Sequence, residues 1–173
     1  PFDPALGERM LERLAHRGRD GVGRQRLAHA WLGSQYLAIV DPEAGGQPLA
    51  GDDGTWLVGD GEIYNHRRIR EHLGPGTFHT ESDLEAALRL YHDRGVASFE
   101  RMWGHFALVL ASEDGGFAAA RDVLGLAPLY WARRDGTVLF ASELKAFPED
   151  WRGTVEPFPP GHAWTPDGGL VPC

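Results

Sequence analysis

The sequence predicts an α+β fold, with helices packed on antiparallel sheets. Three observations carry this. Short, β-rich apolar runs in hairpin pairs fill the second half of the chain. The helical stretches are segregated from them. And 23 glycines and 12 prolines among 173 residues demand many tight turns.

A first helix opens near the start. Asp3 suits its cap, Pro4 suits the first helical position, and Leu6, Met10 and Leu14 recur along one face until Gly18. Arg19–Gly23 reads as a loop. Apolar runs at Ala28–Leu32, Tyr36–Val40 and Thr55–Gly59 read as strands, punctuated by Pro42, Gly45-Gly46, Pro48 and Asp52-Asp53-Gly54. A short helix is expected from Asn65 to Leu73, where Gly74-Pro75-Gly76 stops it. The next carries a capping box, Ser82 to the Glu85 amide and Glu85 back to the Ser82 amide, with Leu84, Leu88 and Tyr91 as its apolar stripe and Gly95 as its end. A third helical stretch is expected near Ala97–Met102.

From Gly104 the pattern is antiparallel β. His105–Ala111 and Phe117–Arg121 flank one turn; Leu129–Ala132 and Val138–Ala141 flank Asp135-Gly136, a pair suited to a two-residue hairpin. The Pro- and Gly-rich tail from Glu156 to Cys173 has room for one more hairpin. No repeat or linker divides the chain, so 1–173 is expected to be one domain.

Composition excludes several classes of function. With 25 acidic against 17 basic residues, a net charge of −8 opposes sequence-independent nucleic-acid binding. No apolar run reaches membrane-span length and no signal-peptide pattern opens the chain. Cys173 is the only cysteine, which excludes an internal disulfide and points to a cytoplasmic setting. The eight histidines fall in no metal-binding spacing, and no Walker loop, G-x-S-x-G elbow or G-x-G-x-x-G occurs. Cys173, at a chain end without a fixed base beside it, is a poor candidate nucleophile. Two places remain. Asp60-Gly61-Glu62 follows an apolar strand, where it is either a site or a turn with capping acids. Asp83 lies in a helix's first turn, where the macrodipole alone would explain it.

Several segments, in order, carry a resemblance. Leu14-Ala15-His16-Arg17-Gly18-Arg19-Asp20-Gly21, Leu37-Ala38-Ile39-Val40-Asp41 and Gln47-Pro48-Leu49 come first. Gly61-Glu62-Ile63-Tyr64-Asn65 and Thr80-Glu81-Ser82-Asp83-Leu84-Glu85 follow. Arg121-Asp122 with Leu124-Gly125 and Pro128-Leu129-Tyr130, then Ala141-Ser142-Glu143-Leu144-Lys145-Ala146 and Phe158-Pro159-Pro160-Gly161, complete the series. Together they resemble the class II glutamine amidotransferase domain, and within that class the asparagine synthetase family.

The resemblance implies an N-terminal-nucleophile hydrolase fold, an αββα sandwich of two antiparallel sheets between helices. In that family an N-terminal cysteine attacks the glutamine side-chain amide, and a separate synthetase domain uses ATP and magnesium, so no cofactor is expected within these residues. The family opens Cys-Gly-Ile in a first strand; here Pro1-Phe2-Asp3-Pro4 begins about where that strand ends. The expectation is a domain lacking its first strand and with it the nucleophile.

By the same resemblance, Asp60 and Gly61 occupy the oxyanion-hole positions, and Tyr36, Glu62 and Asp83 the substrate-binding ones. Two of these depart from the family. Tyr36 stands where an arginine would grip the glutamine α-carboxylate, and a phenol makes no bidentate charged pair. Asp60 stands where an asparagine donates an N–H; a carboxylate has none to give and would repel the developing charge. The expectation is therefore a glutaminase-like domain without glutaminase activity, comparable to those of β-lactam synthetases and lasso-peptide cyclases. Its partner would be a synthetase domain or subunit, with residual glutamine binding and a homodimer left open. Two alternatives stand beside it: a functional glutaminase domain whose cysteine strand lies upstream, and a non-catalytic scaffold or regulatory module.

Overall fold

The computed structural model describes residues 3–18, 21–36 and 46–173. Its centre is a long strand pair. β4 (Thr55–Ile63) and β5 (Gly104–Ser112) run antiparallel over nine residue pairs, from Thr55 opposite Ser112 to Ile63 opposite Gly104. β3 (Leu49–Ala50) joins the outer edge of β4, and β6 (Phe117–Arg121), β10 (His162–Thr165) and β11 (Gly169–Pro172) continue beyond β5. The sheet order is β11-β10-β6-β5-β4-β3. The two-residue side-chain period sorts these strands between two cores. Leu57, Ile63, Phe106, Leu108 and Leu110 face one side; Ala107, Val109, Ala111 and Trp164 face the other. Ala118-Ala119-Ala120 of β6 is fully buried on both faces, where larger side chains would force the layers apart.

On the first face lie α2 (His66–Leu73) and α3 (Asp83–Arg94), whose Ile69, Leu84 and Leu88 join that core. The second face carries β1 (Gly21–Arg26) paired with β2 (Trp31–Tyr36), and β7 (Tyr130–Arg134) between β8 (Thr137–Ala141) and β9 (Glu156–Pro157). Trp131, Phe140, Phe158 and Trp164 stack between the sheets, Trp131 meeting Phe158 edge-on at 5.1 Å. α1 (Pro4–Glu12) covers this layer from outside: Met10 packs with Leu139 and Phe147, and Arg13 donates to the Phe147 carbonyl at 2.6 Å. Helices, sheet, second β layer and helix make the expected αββα sandwich. Among the described residues, however, its second layer is two separate sheets.

Local chemistry explains most boundaries. Asp3 caps α1 by accepting the Ala5 N–H at 2.9 Å. The β7–β8 turn takes positive φ at Asp135 (51°) and Gly136 (74°), the mirror-image turn that matches strand twist.

Other expectations are corrected. β1 begins at Gly21, inside the segment read as a loop, because its backbone pairs with β2 through Arg26 opposite Trp31 despite a weak apolar pattern. The run read at Ala28–Leu32 is displaced into β2, and of the run at Tyr36–Val40 only Tyr36 lies within the described residues. The stretch near Ala97–Met102 is a 3-10 helix, Gly95–Arg101. The capping box does not form. Ser82 makes no side-chain cap bond, and the Glu85 carboxylate reaches past it to the His79 and Thr80 N–H groups (2.9 and 2.7 Å). Arg89 holds Glu85 there from the next turn, at 3.2 Å, and both are buried.

Candidate functional site

β4 brings most of the candidate residues together. Asp60-Gly61-Glu62 does not follow the strand but forms its last turn of pairing, opposite Ala107, Phe106 and His105 of β5. Gly61 has φ +107°, and a Cβ there would collide with the His105 carbonyl, so this bend admits only glycine. Upstream, Gln47 acts as a one-residue strand. Its side-chain amide accepts from the Gly59 N–H at 2.7 Å and donates to the Gly59 carbonyl at 3.0 Å, satisfying β4's edge just before Asp60.

Asp83, at the start of α3, joins the group through the backbone. Its Oδ2 accepts the Ile63 N–H at 2.6 Å, fixing α3 against the end of β4 next to the exposed Glu62. Tyr36 stands apart, as the last residue of β2 in the other β layer, opposite Gly21.

Asp60 is not an isolated charge. Arg17 Nη2 donates to Asp60 Oδ2 at 2.5 Å, and Arg17 Nη1 donates to Glu143 Oε1 at 3.2 Å. His16 Nε2 lies 2.9 Å from the same Glu143 oxygen, and Lys145 Nζ lies 3.4 Å from the other. Partial burial pushes the Glu143 carboxyl up, but hydrogen bonds from His16 and Arg17 outweigh it and hold the group below the usual carboxylate range. Arg17 thus bridges two carboxylates on β4 and the segment after β8, offsetting the charge that the sequence left bare at Asp60. Arg17, His16, Glu143 and Lys145 carried no expected role, although all four sit inside motif segments.

A cavity among the described residues lies elsewhere, between the layers. It has a volume of about 150 Å³ and sits between β2 (Trp31–Gly33) and β8 (Val138–Ala141), under α1 and over Val58, Val109 and Phe117. Among the described residues β2 pairs only with β1, and β8 only with β7, so both strands turn unpaired edges to this apolar slot. None of Tyr36, Asp60, Gly61, Glu62 and Asp83 lines it. Cys173 packs against the helix-side core; burial, with Glu100 nearby, pushes its thiol up to about 11, the opposite of an activated nucleophile.

Comparison with known proteins decides the family: the model for the glutamine amidotransferase domain matches residues 3–157. The chain belongs to that family. The amidotransferase domain is 44% identical over 166 residues to asparagine synthetase [glutamine-hydrolyzing] 3 of Arabidopsis thaliana, covering 93% of this chain but 28% of the relative. A probable asparagine synthetase [glutamine-hydrolyzing] of Dictyostelium discoideum is 44% identical over 160 residues, again with 28% of its length covered. In fold, the amidotransferase domain resembles the glutamine phosphoribosylpyrophosphate amidotransferase of B. subtilis, with a TM-score of 0.72 at 23% identity, over 97% of this chain and 46% of that one. No described helix is long and apolar enough to cross a membrane.

Proposed function

We propose that this amidotransferase domain is the glutamine-site domain of a cytoplasmic, asparagine synthetase-like, amide-forming ligase, and that its own glutamine pocket has lost glutaminase function. The observation that carries this is the Arg17–Asp60 ion pair beside Gly61. In this reading Gly61 keeps the backbone oxyanion position, while Asp60 holds a carboxylate where an N–H donor is needed. Pairing with Arg17 relieves the repulsion but puts no N–H on residue 60 itself, the position where the donor is needed. Losing one such donor costs about 3–4 kcal/mol, roughly 10²–10³ in rate. Tyr36 supplies no charged fork for an α-carboxylate. Glu62 and Asp83 remain as acids for the glutamine amino group, so weak glutamine binding can outlast hydrolysis. ATP and magnesium would act in a synthetase domain outside these residues.

A second reading, a working glutaminase, is favoured by the slot between β2 and β8. Its unpaired edges and apolar floor suit one further strand, which could carry a cysteine. Release of glutamate from glutamine separates the two in a native-length protein that opens Cys-Gly-Ile, naturally or by addition. The expected result is negligible hydrolysis until Asp60→Asn and Tyr36→Arg are introduced together. Robust hydrolysis with Asp60 and Tyr36 in place would reject the proposal in favour of the second reading.

A further inference from the structure

The five most exposed large apolar side chains among the described residues all lie at one end of the six-stranded sheet. They are Trp103 (74%), Leu124 (73%), Val123 (70%), Leu126 (64%) and Tyr64 (56%). The register brings them there. Ile63 pairs with Gly104, Ala107 with Arg121, Arg121 with His162, and His162 with Pro172. The ends of β4, β6 and β11 and the starts of β5 and β10 therefore point the same way. Apolar surface gathered in this manner marks an interaction site more often than a chance of composition.

The segment that displays it is rigid. Asp122, buried, accepts the N–H groups of Phe106, Leu124, Leu126 and Ala127 at 3.0–3.2 Å. Arg121 donates to the carbonyls of Gly125, Ala127 and Phe158 at 2.7–2.8 Å. Asn65 clamps the backbone of Trp103 at 2.9 Å. Side chains held out by a preorganised backbone bind without a large ordering cost.

The chain's last residue sits at the same end. The Cys173 N–H donates to the Gly161 carbonyl at 2.9 Å, and the Gly161 N–H donates to the Asp122 carbonyl at 2.9 Å. Polypeptide continuing past residue 173 would emerge beside Val123, and the chain spans only 28% of the curated relatives it matches. A segment tethered there meets the patch at high effective concentration.

We propose that this end of the sheet, through Trp103, Val123, Leu124 and Leu126, is the docking surface for the polypeptide that follows residue 173 in the full-length protein. This rests on the reading of the chain as one domain of a longer ligase. The test is hydroxyl-radical footprinting of the native-length protein, with exposed Leu144 as internal reference. Leu124 and Leu126 are expected to label at least fivefold more slowly than Leu144, and the pair Leu124→Asp with Leu126→Asp to raise labelling of Trp103 severalfold. Labelling of Leu124 and Leu126 as fast as Leu144 overturns the proposal. So does protection that vanishes on dilution, which would assign the surface to a second copy of the chain. Ligase activity with unprotected leucines rejects the docking surface alone; protected leucines without ligase activity reject the functional reading alone.

Discussion

Asp122→Asn is expected to be among the most damaging single substitutions that leave side-chain volume nearly unchanged. The carboxylate splits its four acceptor contacts evenly: Oδ1 takes Leu124 and Leu126, and Oδ2 takes Phe106 and Ala127. An asparagine oxygen can keep one pair, but its NH₂ group then faces the other two donors. Each buried donor left without an acceptor costs about 1–3 kcal/mol, and the retained pair loses its charge assistance. A total of about 4 kcal/mol follows, equivalent to a melting-temperature drop of roughly 8–16 °C for a chain of this size. Burial pushes the Asp122 carboxyl up, but the amides of Ala127, Leu126, Phe106 and Leu124 outweigh it and hold the group below its ordinary value. Its contribution is therefore complete above the unfolded-state pKa of about 3.9, and is lost as pH falls through the lower folded-state value. Urea unfolding of both proteins at pH 7 and at a series of lower pH values measures this directly. A cost under about 1 kcal/mol at neutral pH, or a gap that does not narrow on acidification, would refute the reasoning.

Two further substitutions probe the site's scaffold. Gly61→Ala meets both a left-handed φ and the His105 carbonyl, so it should cost about 2–5 kcal/mol by denaturant titration; a neutral result would mean the bend at the end of β4 is misjudged. Arg89→Met should cost about 3 kcal/mol by stranding the buried Glu85, and adding Glu85→Gln should recover part of that loss. Additive costs in that double-mutant cycle would show that the pair is not coupled.

What the sequence disclosed depended on how local the cause was. The β7–β8 hairpin and the start of α1 were legible because Asp135-Gly136 and Asp3-Pro4 act on their own neighbours. β1 was not, since Gly21–Arg26 has little apolar alternation and owes its form to β2. Asp60-Gly61-Glu62 looked like a strand's end because such residues are depleted in strands; nine pairs with β5 override that preference. In the site, residue identities were visible but their pairing was not. Arg17 and Asp60 are separated by 43 positions, and only the fold, which sets the turn after α1 beside the end of β4, brings them together. Glu85 misled for a different reason: its competing partners, Arg89 one turn on and His79 and Thr80 before the expected cap, are as local as the cap itself.

The position of α1 also sets an order of events. Its Arg13 bonds the carbonyls of Ala146 and Phe147, 133 and 134 residues further on. α1 precedes every described strand; β2, its main neighbour, follows closely, but Leu139 and Phe147 come much later. At 5–20 residues per second of synthesis, Met10 and Leu11 wait on the order of ten seconds before Leu139 and Phe147 exist to cover them. During that interval α1 has β2 to rest on but not β8 or the segment after it. Its closure over the second β layer is a long-range contact of the kind that slows folding. An early helix is thus completed only by a late strand.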